Sequence, residues 1–223
     1  MNDADPGYSI TEHIFDHREL VLIREAIEVS DIPRTRAGAR HLLRVPEVRA
    51  MAAHPGLSQL AAAFVGPAAF PFRATLFDKS AASNWLVAWH QDTALPLRER
   101  LDVASWGPWS VKGGVLHAMA PARALATVIA LRVHLDDSTP TNGALRVLPG
   151  THSSGVLSHD DILEVAARIR AVECVCSAGG VVAMRALIIP ASSKTRDAQA
   201  RRVLHLEYAP TVHLGAGIEL AVG

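Results

Sequence analysis

The first third of the chain has the hydrophobic spacing of amphipathic helices. In "DHRELVLIREAIEVS", Leu20, Ile23 and Ile27 recur along one stripe, and Asp16 precedes them as a candidate N-cap. Two further segments, "PEVRAMAAH" and "GLSQLAAAFVG", have comparable helical spacing, and a glycine closes the second. The pattern predicts a helical lead over residues 1–66.

From Phe70 onward, the chain consists of short apolar or alternating runs separated by Gly, Pro, Asn and Asp, which is typical of short antiparallel strands. We interpret seven or eight runs as strands, among them "FPFRATLFDKS", "NWLVAWHQDT", "TVIALRVHLDD" and "GVVAMRALII". Only "HDDILEVAARIR", near 159–170, has a helical period, and it is predicted to be an insertion. The expected fold is mainly β (α+β), a single domain over 1–223 with a jelly-roll core over 67–223 and the N-terminal helices on the outer face of the major sheet.

The segment "RRVLHLEYAP" has two different faces if it forms a strand. Leu204, Leu206 and Tyr208 alternate with a second set that contains Arg201 and His205. We expect the first set to pack under the helices and the second set to face the interior of the barrel.

Composition narrows the possible partners. Lys plus Arg equals Asp plus Glu at 22 each, so no global field attracts nucleic acid or an anionic membrane, and a small-molecule substrate bound at a local site is expected. No apolar run is long enough to span a bilayer and "MNDADPGYS" lacks the order of a secretion signal, so a cytoplasmic location is expected. Cys174 and Cys176 are expected to be small core residues, with a soft-metal site as the alternative.

The segment "AWHQDT" contains a histidine and an aspartate two residues apart. On a strand, His90 and Asp92 would point the same way. An imidazole and a carboxylate are two of the three groups of a 2-His-1-carboxylate triad, which holds non-haem Fe(II) and leaves positions open. The alternative is a surface histidine followed by a turn-forming aspartate.

Four sequence motifs support the interpretation of His90 and Asp92 as metal ligands. In order and spacing, "WHQD", "ALRVHLDD", "NGALRVLPGTHSSGVL" and "RRVLHLEYAP" resemble the phytanoyl-CoA dioxygenase family of Fe(II)/2-oxoglutarate oxygenases over nearly the whole chain. The resemblance implies a double-stranded β-helix (cupin-like), with Fe(II) as cofactor and 2-oxoglutarate as cosubstrate. It also implies that His90 and Asp92 are the catalytic metal ligands and that Ser192 and Arg201 bind the far carboxylate of 2-oxoglutarate.

The resemblance places a distal metal-ligand histidine at position 190, where this chain has Pro190. Proline offers no side-chain donor to a metal. His205 lies four residues beyond Arg201, roughly 13 Å along a strand, and is expected to be a core or network histidine. His117 is expected to line the pocket or to be a hydrogen-bonded barrel residue, and His134 does not match a ligand position either.

Other residues near the motifs receive structural interpretations. We expect Lys79 at a solvated strand end, with entry into the pocket as the alternative. Gln91 is expected to support the neighbouring His90 and Asp92 or to be structural, and Trp85 to lie in the core or pocket wall. Asn142 and Gly143 suit a hairpin turn.

Two functional hypotheses follow. The first is an Fe(II)/2-oxoglutarate-dependent dioxygenase that hydroxylates a small organic substrate, with activity impaired by the incomplete triad. The second is a non-catalytic pseudo-enzyme or binding protein that retains the fold. Pro190 favours the second, whereas the four matching residues favour the first; a rewired metal site is a third hypothesis.

Overall fold

The computed structural model describes residues 5–80, 83–197 and 199–223, and short antiparallel strands dominate it. In these residues the strands are β1 (Tyr8–Thr11), β2 (Arg34–Thr35), β3 (Gly38–Arg40), β4 (Phe70–Lys79), β5 (Ala94–Pro96), β6 (Trp109–Lys112), β7 (Val115–Met119), β8 (Ile129–His134), β9 (Leu145–Leu148), β10 (Val172–Cys174), β11 (Val181–Arg185), β12 (Ile189–Ser192), β13 (Arg201–Ala209), β14 (His213–Gly215) and β15 (Ile218–Glu219). The helices are α1 (His17–Val29), α2 (Pro46–Ala52), α3 (Pro55–Val65), α4 (Ala122–Leu125) and α5 (His159–Arg168). The expectation of a mainly β protein is confirmed.

The predicted helices are present. Asp16 caps α1 through a capping box, because its side chain accepts a hydrogen bond from the Glu19 N–H while the Glu19 carboxylate accepts one from the Asp16 N–H. The stripe of Leu20, Ile23 and Ile27 is buried. The helical insertion is also confirmed as α5.

The expectation that residues 1–66 are helical throughout is wrong. The main sheet has seven strands in the order β1-β11-β8-β13-β4-β3-β2, so strands from this region occupy both of its edges. These short strands are stabilised by pairing with distant segments, which leaves little local signal. Gly38 shows how close that pairing is, because a Cβ at this position would lie 1.9 Å from the Leu76 carbonyl oxygen of β4.

The two faces of β13 separate the core from the cavity, as the alternation predicts. Leu204, Leu206 and Tyr208 are buried in the cluster that includes the helix residues of α1, α2 and α3. The Tyr208 hydroxyl donates to the Ala52 carbonyl oxygen at 2.8 Å and ties β13 to the end of α2. The opposite face of β13 is therefore the one left for the interior.

Smaller sheets close the barrel opposite the main sheet. Their orders are β10-β9-β12 and β5-β7-β6. The run "GVVAMRALII" is not one strand, because it splits into β11 of the main sheet and β12 of a small one. Likewise, Asn142 and Gly143 form a turn from β8 to β9, which lie in different sheets, so the predicted hairpin is wrong.

The predicted strand "NWLVAWHQDT" is also wrong. Residues 88–93 have no strand structure, and the segment is held by an isolated bridge between Val87 and Ser192. His90 nevertheless donates its backbone N–H to the Pro190 carbonyl oxygen at 3.3 Å. The segment thus lies along β12 without forming a regular ladder.

Two further expectations concern the termini and the cysteines. No helix among the described residues combines the length and the apolar character needed to cross a membrane. The start of the polar segment, residues 1–4, lies outside the described residues. Cys174 and Cys176 are buried free thiols, as expected for core residues.

The packing of β13 predicts that Leu204→Ala lowers the free energy of unfolding by about 2–5 kcal/mol, because it leaves a cavity beneath the helices. The matched control is Leu22→Ala on the exposed face of α1, where 53% of the residue is accessible. We expect the control to change stability by less than about 0.5 kcal/mol. Urea denaturation measures both, and equal losses would contradict this packing.

Candidate active site

The inner face of the main sheet and the segment around His90 enclose a cavity of about 360 Å³. Its wall includes all four residues that the sequence singles out for chemistry, namely His90, Asp92, Ser192 and Arg201. The volume is in the range of small-molecule sites. The structure therefore brings the predicted residues to one place.

His90 and Asp92 converge although their segment is not a strand. His90 Nε2 lies 3.6 Å from Asp92 Oδ1, and the two side chains are 39% and 46% exposed. The His90 Nδ1–H donates to the Ala88 carbonyl oxygen at 2.9 Å, since a carbonyl can only accept. With Nδ1 as the donor, the neutral ring carries its lone pair on Nε2, the nitrogen that faces Asp92 and that is protonated when His90 is charged.

The charges of this pair support each other. Burial raises the pKa of Asp92, but the hydrogen bond and charge of His90, with His205 and Arg73 nearby, outweigh it and hold that pKa well below its usual value. Burial lowers the pKa of His90, and Asp92 more than compensates, so the net direction is upward. Asp92 is thus a carboxylate at neutral pH, as a metal ligand requires.

Pro190 lines the same cavity. It belongs to β12, whose backbone runs beside His90, and it is followed two residues later by Ser192. Within the described residues, no three His, Cys, Asp or Glu side chains are grouped so as to hold a metal ion. His90 and Asp92 would therefore supply two ligands to an iron ion, whereas Pro190 has no side-chain donor atom.

Arg201 is a buried cation in the wall of the cavity. The residue is 3% exposed, and its Nε and Nη1 are buried without a hydrogen-bond partner among the described residues. Its Nη2 lies 3.5 Å from Ser192 Oγ. Buried donors are almost always paired, so this guanidinium lacks an acceptor, and a carboxylate could take two parallel hydrogen bonds along its Nη1–Nη2 edge or its Nε–Nη2 edge.

Lys79 is not at a solvated strand end, so that expectation is wrong. It is 1% exposed and donates to Ser192 Oγ at 2.8 Å and to the Ser193 carbonyl oxygen at 2.7 Å. Its ammonium also lies 5.2 Å from the centre of the Trp85 ring. Because β4 pairs Lys79 directly with Arg201 of β13, its side chain faces the interior.

Two cations side by side make this end of the cavity strongly positive. Burial, followed by the charges of Arg201 and Arg132, lowers the pKa of Lys79 to about 8. Burial and Arg132 likewise lower the pKa of Arg201 to about 10. An anionic ligand would offset this repulsion and raise both pKa values.

Of the other histidines on strands, His205 and His117 have hydrogen-bond partners, whereas both ring nitrogens of His134 are buried without one among the described residues. His205 accepts from Arg132 Nη1 at 3.1 Å, and burial, with Arg132, lowers its pKa to about 3. His134 is fully buried, and burial lowers its pKa to about 3 as well. His117 donates from Nδ1 to the Val115 carbonyl oxygen and faces Arg73 at 3.3 Å.

A buried ion pair lies at the other end of β13. Arg73 binds Glu207 through two nitrogens, one of them 2.5 Å from Glu207 Oε1. The side chains are 19% and 4% exposed, so the pair is largely withdrawn from water. Arg73 also reaches toward the Ala94 carbonyl oxygen, directly after the His90–Asp92 segment.

Comparison with known proteins assigns the chain to a family. Residues 24–203 match the phytanoyl-CoA dioxygenase (PhyH) family. The chain belongs to this family. A comparison with curated proteins gives no match.

Solved structures share the PhyH-type fold. AviO1 from Streptomyces viridochromogenes is 24% identical, with 92% of this chain and 90% of AviO1 covered and a TM-score of 0.65. HygX from Streptomyces hygroscopicus, with nickel and 2-oxoglutarate bound, is 15% identical over 93% and 84%, with a TM-score of 0.67. EctD from S. alaskensis, with 2-oxoglutarate and 5-hydroxyectoine, is 18% identical over 94% and 78%, with a TM-score of 0.69. At these identities, the likeness concerns the fold.

Sequence reasoning missed most of the cations in the cavity of this PhyH protein. In "FPFRATLFDK", Arg73, Thr75 and Lys79 alternate with the core residues Ala74 and Leu76, and that alternation indicates which residues point inward. Gln91 fits its predicted structural role, because its side chain bonds three backbone groups, those of Gly155, Leu157 and Leu187.

The buried pair predicts the effect of Glu207→Gln. Neutralising the carboxylate leaves the Arg73 charge uncompensated, so we expect a loss of about 3–5 kcal/mol in unfolding free energy. Glu164→Gln, which breaks an exposed pair with Arg168, is the control and should leave stability unchanged within error. Chemical denaturation at pH 7 measures both, and a neutral Glu207→Gln would refute the role assigned to the pair.

Proposed function

We propose that this chain is an Fe(II)- and 2-oxoglutarate-dependent oxygenase that acts on a small organic substrate, with two protein ligands to iron instead of three. The observation that carries the proposal is Arg201, which lines the cavity that also contains His90 and Asp92 and whose Nε and Nη1 are buried without a hydrogen-bond partner among the described residues. A guanidinium in that state is pre-organised for a carboxylate. The spacing of Ser192 and Arg201 along the chain also matches the pattern of the family.

The cosubstrate would bind at the Lys79 and Arg201 end. Arg201 donates to the far carboxylate of 2-oxoglutarate through its planar fork, and Ser192 supports it from the adjacent strand β12. Lys79 adds a second positive charge, already oriented by Ser192 and Ser193. HygX with 2-oxoglutarate bound has a comparable fold, which is consistent with this assignment.

Iron would be held by His90 Nε2 and the Asp92 carboxylate. When bound with 2-oxoglutarate, it supplies the oxidising chemistry, while the protein binds, orients and excludes water. Phe77, Leu145 and Met184 contribute apolar wall to the cavity. Since loss of a group that merely supports a metal ligand costs about 10–100-fold in affinity or activity, loss of a ligand imidazole is expected to cost at least as much.

The second candidate is a non-catalytic binding protein that keeps the carboxylate site. The observation that favours it is Pro190, because the cavity wall at this position has no donor atom. The two candidates agree on 2-oxoglutarate binding and differ on turnover.

Restoring the third ligand tests the proposal. We expect the natural protein to bind Fe(II) weakly and Pro190→His to bind it at least about ten-fold more tightly, because the new imidazole faces the cavity beside His90. Anaerobic Fe(II) titration with 2-oxoglutarate present measures the affinity, and succinate release in air measures turnover. His213→Gln, at an exposed position outside the cavity, controls for loose binding of iron to surface imidazoles.

The two measurements distinguish the candidate functions and test the role of position 190. Succinate release by the natural protein supports the oxygenase, and its absence, together with release by Pro190→His, supports the binding protein. Equal iron affinity in the natural and Pro190→His proteins would contradict the account of position 190.

A further inference from the structure

The cations of the cavity fall into two groups at opposite ends of it. Arg73 and Lys79 both face inward from β4 and are six residues apart, which is roughly 20 Å along a strand. Lys79 pairs with Arg201, whereas Arg73 pairs with Glu207 at the far end of β13. The cosubstrate end is thus only one of two positive regions.

Arg40 and Lys112 form the second region, which we call the distal cationic end. Arg40 lies on β3 opposite Thr75 of β4, and Lys112 ends β6. Both residues are exposed. They are close to each other, because a Cβ placed on Gly113, the residue after Lys112, would lie 3.8 Å from Arg40 Cδ, and both line the cavity together with Arg73. Among the described residues, neither Arg40 nor Lys112 has an ion-pair partner, whereas Arg73 is neutralised by Glu207.

The net charge of the cavity indicates which kind of ligand the distal cationic end would bind. The cavity is lined by six cationic side chains, Arg40, Arg73, Lys79, Lys112, Arg132 and Arg201, and by two carboxylates, Asp92 and Glu207. An excess of four positive charges remains, although the whole chain has none. Fe(II) and the 2-oxoglutarate dianion cancel each other, so the cofactors would leave this excess unchanged.

Arg132 provides an independent sign of a missing acceptor. It is 8% exposed, and its Nε is buried without a partner among the described residues. Its position on β8 is opposite His205, four residues or roughly 13 Å along β13 from Arg201. Arg132 therefore has one unsatisfied donor, and it lines the cavity beside His205, between the β13 positions of Arg201 and Glu207.

We propose that the primary substrate carries an anionic group, a carboxylate or a phosphate, which Arg40 and Lys112 bind at the distal cationic end, with Arg132 donating from the interior. The identification of the anion as part of the substrate rests on the proposed function. The anion site itself depends on neither iron nor turnover, because it is made of side chains of this chain alone.

Calorimetric titration of the metal-free protein tests the site. The probes are inorganic phosphate and acetate, each added in the presence of saturating 2-oxoglutarate at low, fixed ionic strength, where charge effects are least screened. The test variant is Arg40→Gln/Lys112→Gln. The control is Arg123→Gln/Arg170→Gln, which removes the same charge from exposed positions outside the cavity.

We expect at least one probe to bind the natural and control proteins and to bind the test variant at least about ten-fold more weakly. 2-Oxoglutarate affinity should change by less than about two-fold in the test variant, since Lys79 and Arg201 are untouched. The better probe identifies phosphate or carboxylate as the group. The charge-preserving variant Arg40→Lys/Lys112→Arg should retain binding and so separates lost charge from lost structure.

Three results would overturn the proposal. They are no binding of either probe, competition between the bound probe and 2-oxoglutarate, and equal weakening in the test and control variants. Failure of the proposed function is distinguishable, because it appears as absent 2-oxoglutarate binding or absent turnover. The probes report on the distal cationic end in either case.

Discussion

A buried guanidinium without protein partners for two of its nitrogens is the constraint on which this site depends. Arg201 and Lys79 are both withdrawn from water, and the charge of Arg201 contributes to the lowered pKa of Lys79. Burying unpaired charges costs several kcal/mol per ion in proteins, so a fold that keeps two of them adjacent requires a compensating group. Under the proposed function, the dicarboxylate 2-oxoglutarate would supply that compensation.

The rest of the architecture holds this arrangement in place. The ladder between β4 and β13 sets Lys79 opposite Arg201, and the alternation along β13 directs Leu204 and Leu206 into the core beneath the helices. A shift of one residue in this ladder would turn the cations into the core and the leucines into the cavity. Fold stability and site chemistry are therefore coupled through one pair of strands.

Local signals in the sequence were enough to predict α1, α2, α3 and α5, with Asp16 as the N-cap of α1. The family resemblance pointed to His90, Asp92, Ser192 and Arg201, all of which line one cavity. Elements that depend on distant partners were not predictable, because their pairing has no local pattern: β3 is defined by its contact with β4, and the His90 segment by one bridge from Val87 to β12. Lys79 was misjudged because a lysine at a strand end is usually solvated, and its burial requires the close approach of β12 and β13.

The central claim is that Arg201 binds a dicarboxylate without help from a metal. The most direct measurement is a ¹H–¹⁵N spectrum of the arginine Nε–H groups in the metal-free protein during titration with 2-oxoglutarate, with Arg201→Lys used to assign the signal. We expect the Arg201 signal to shift and to saturate at one equivalent per chain. A signal that stays unchanged while 2-oxoglutarate binds elsewhere, or does not bind at all, would contradict the account.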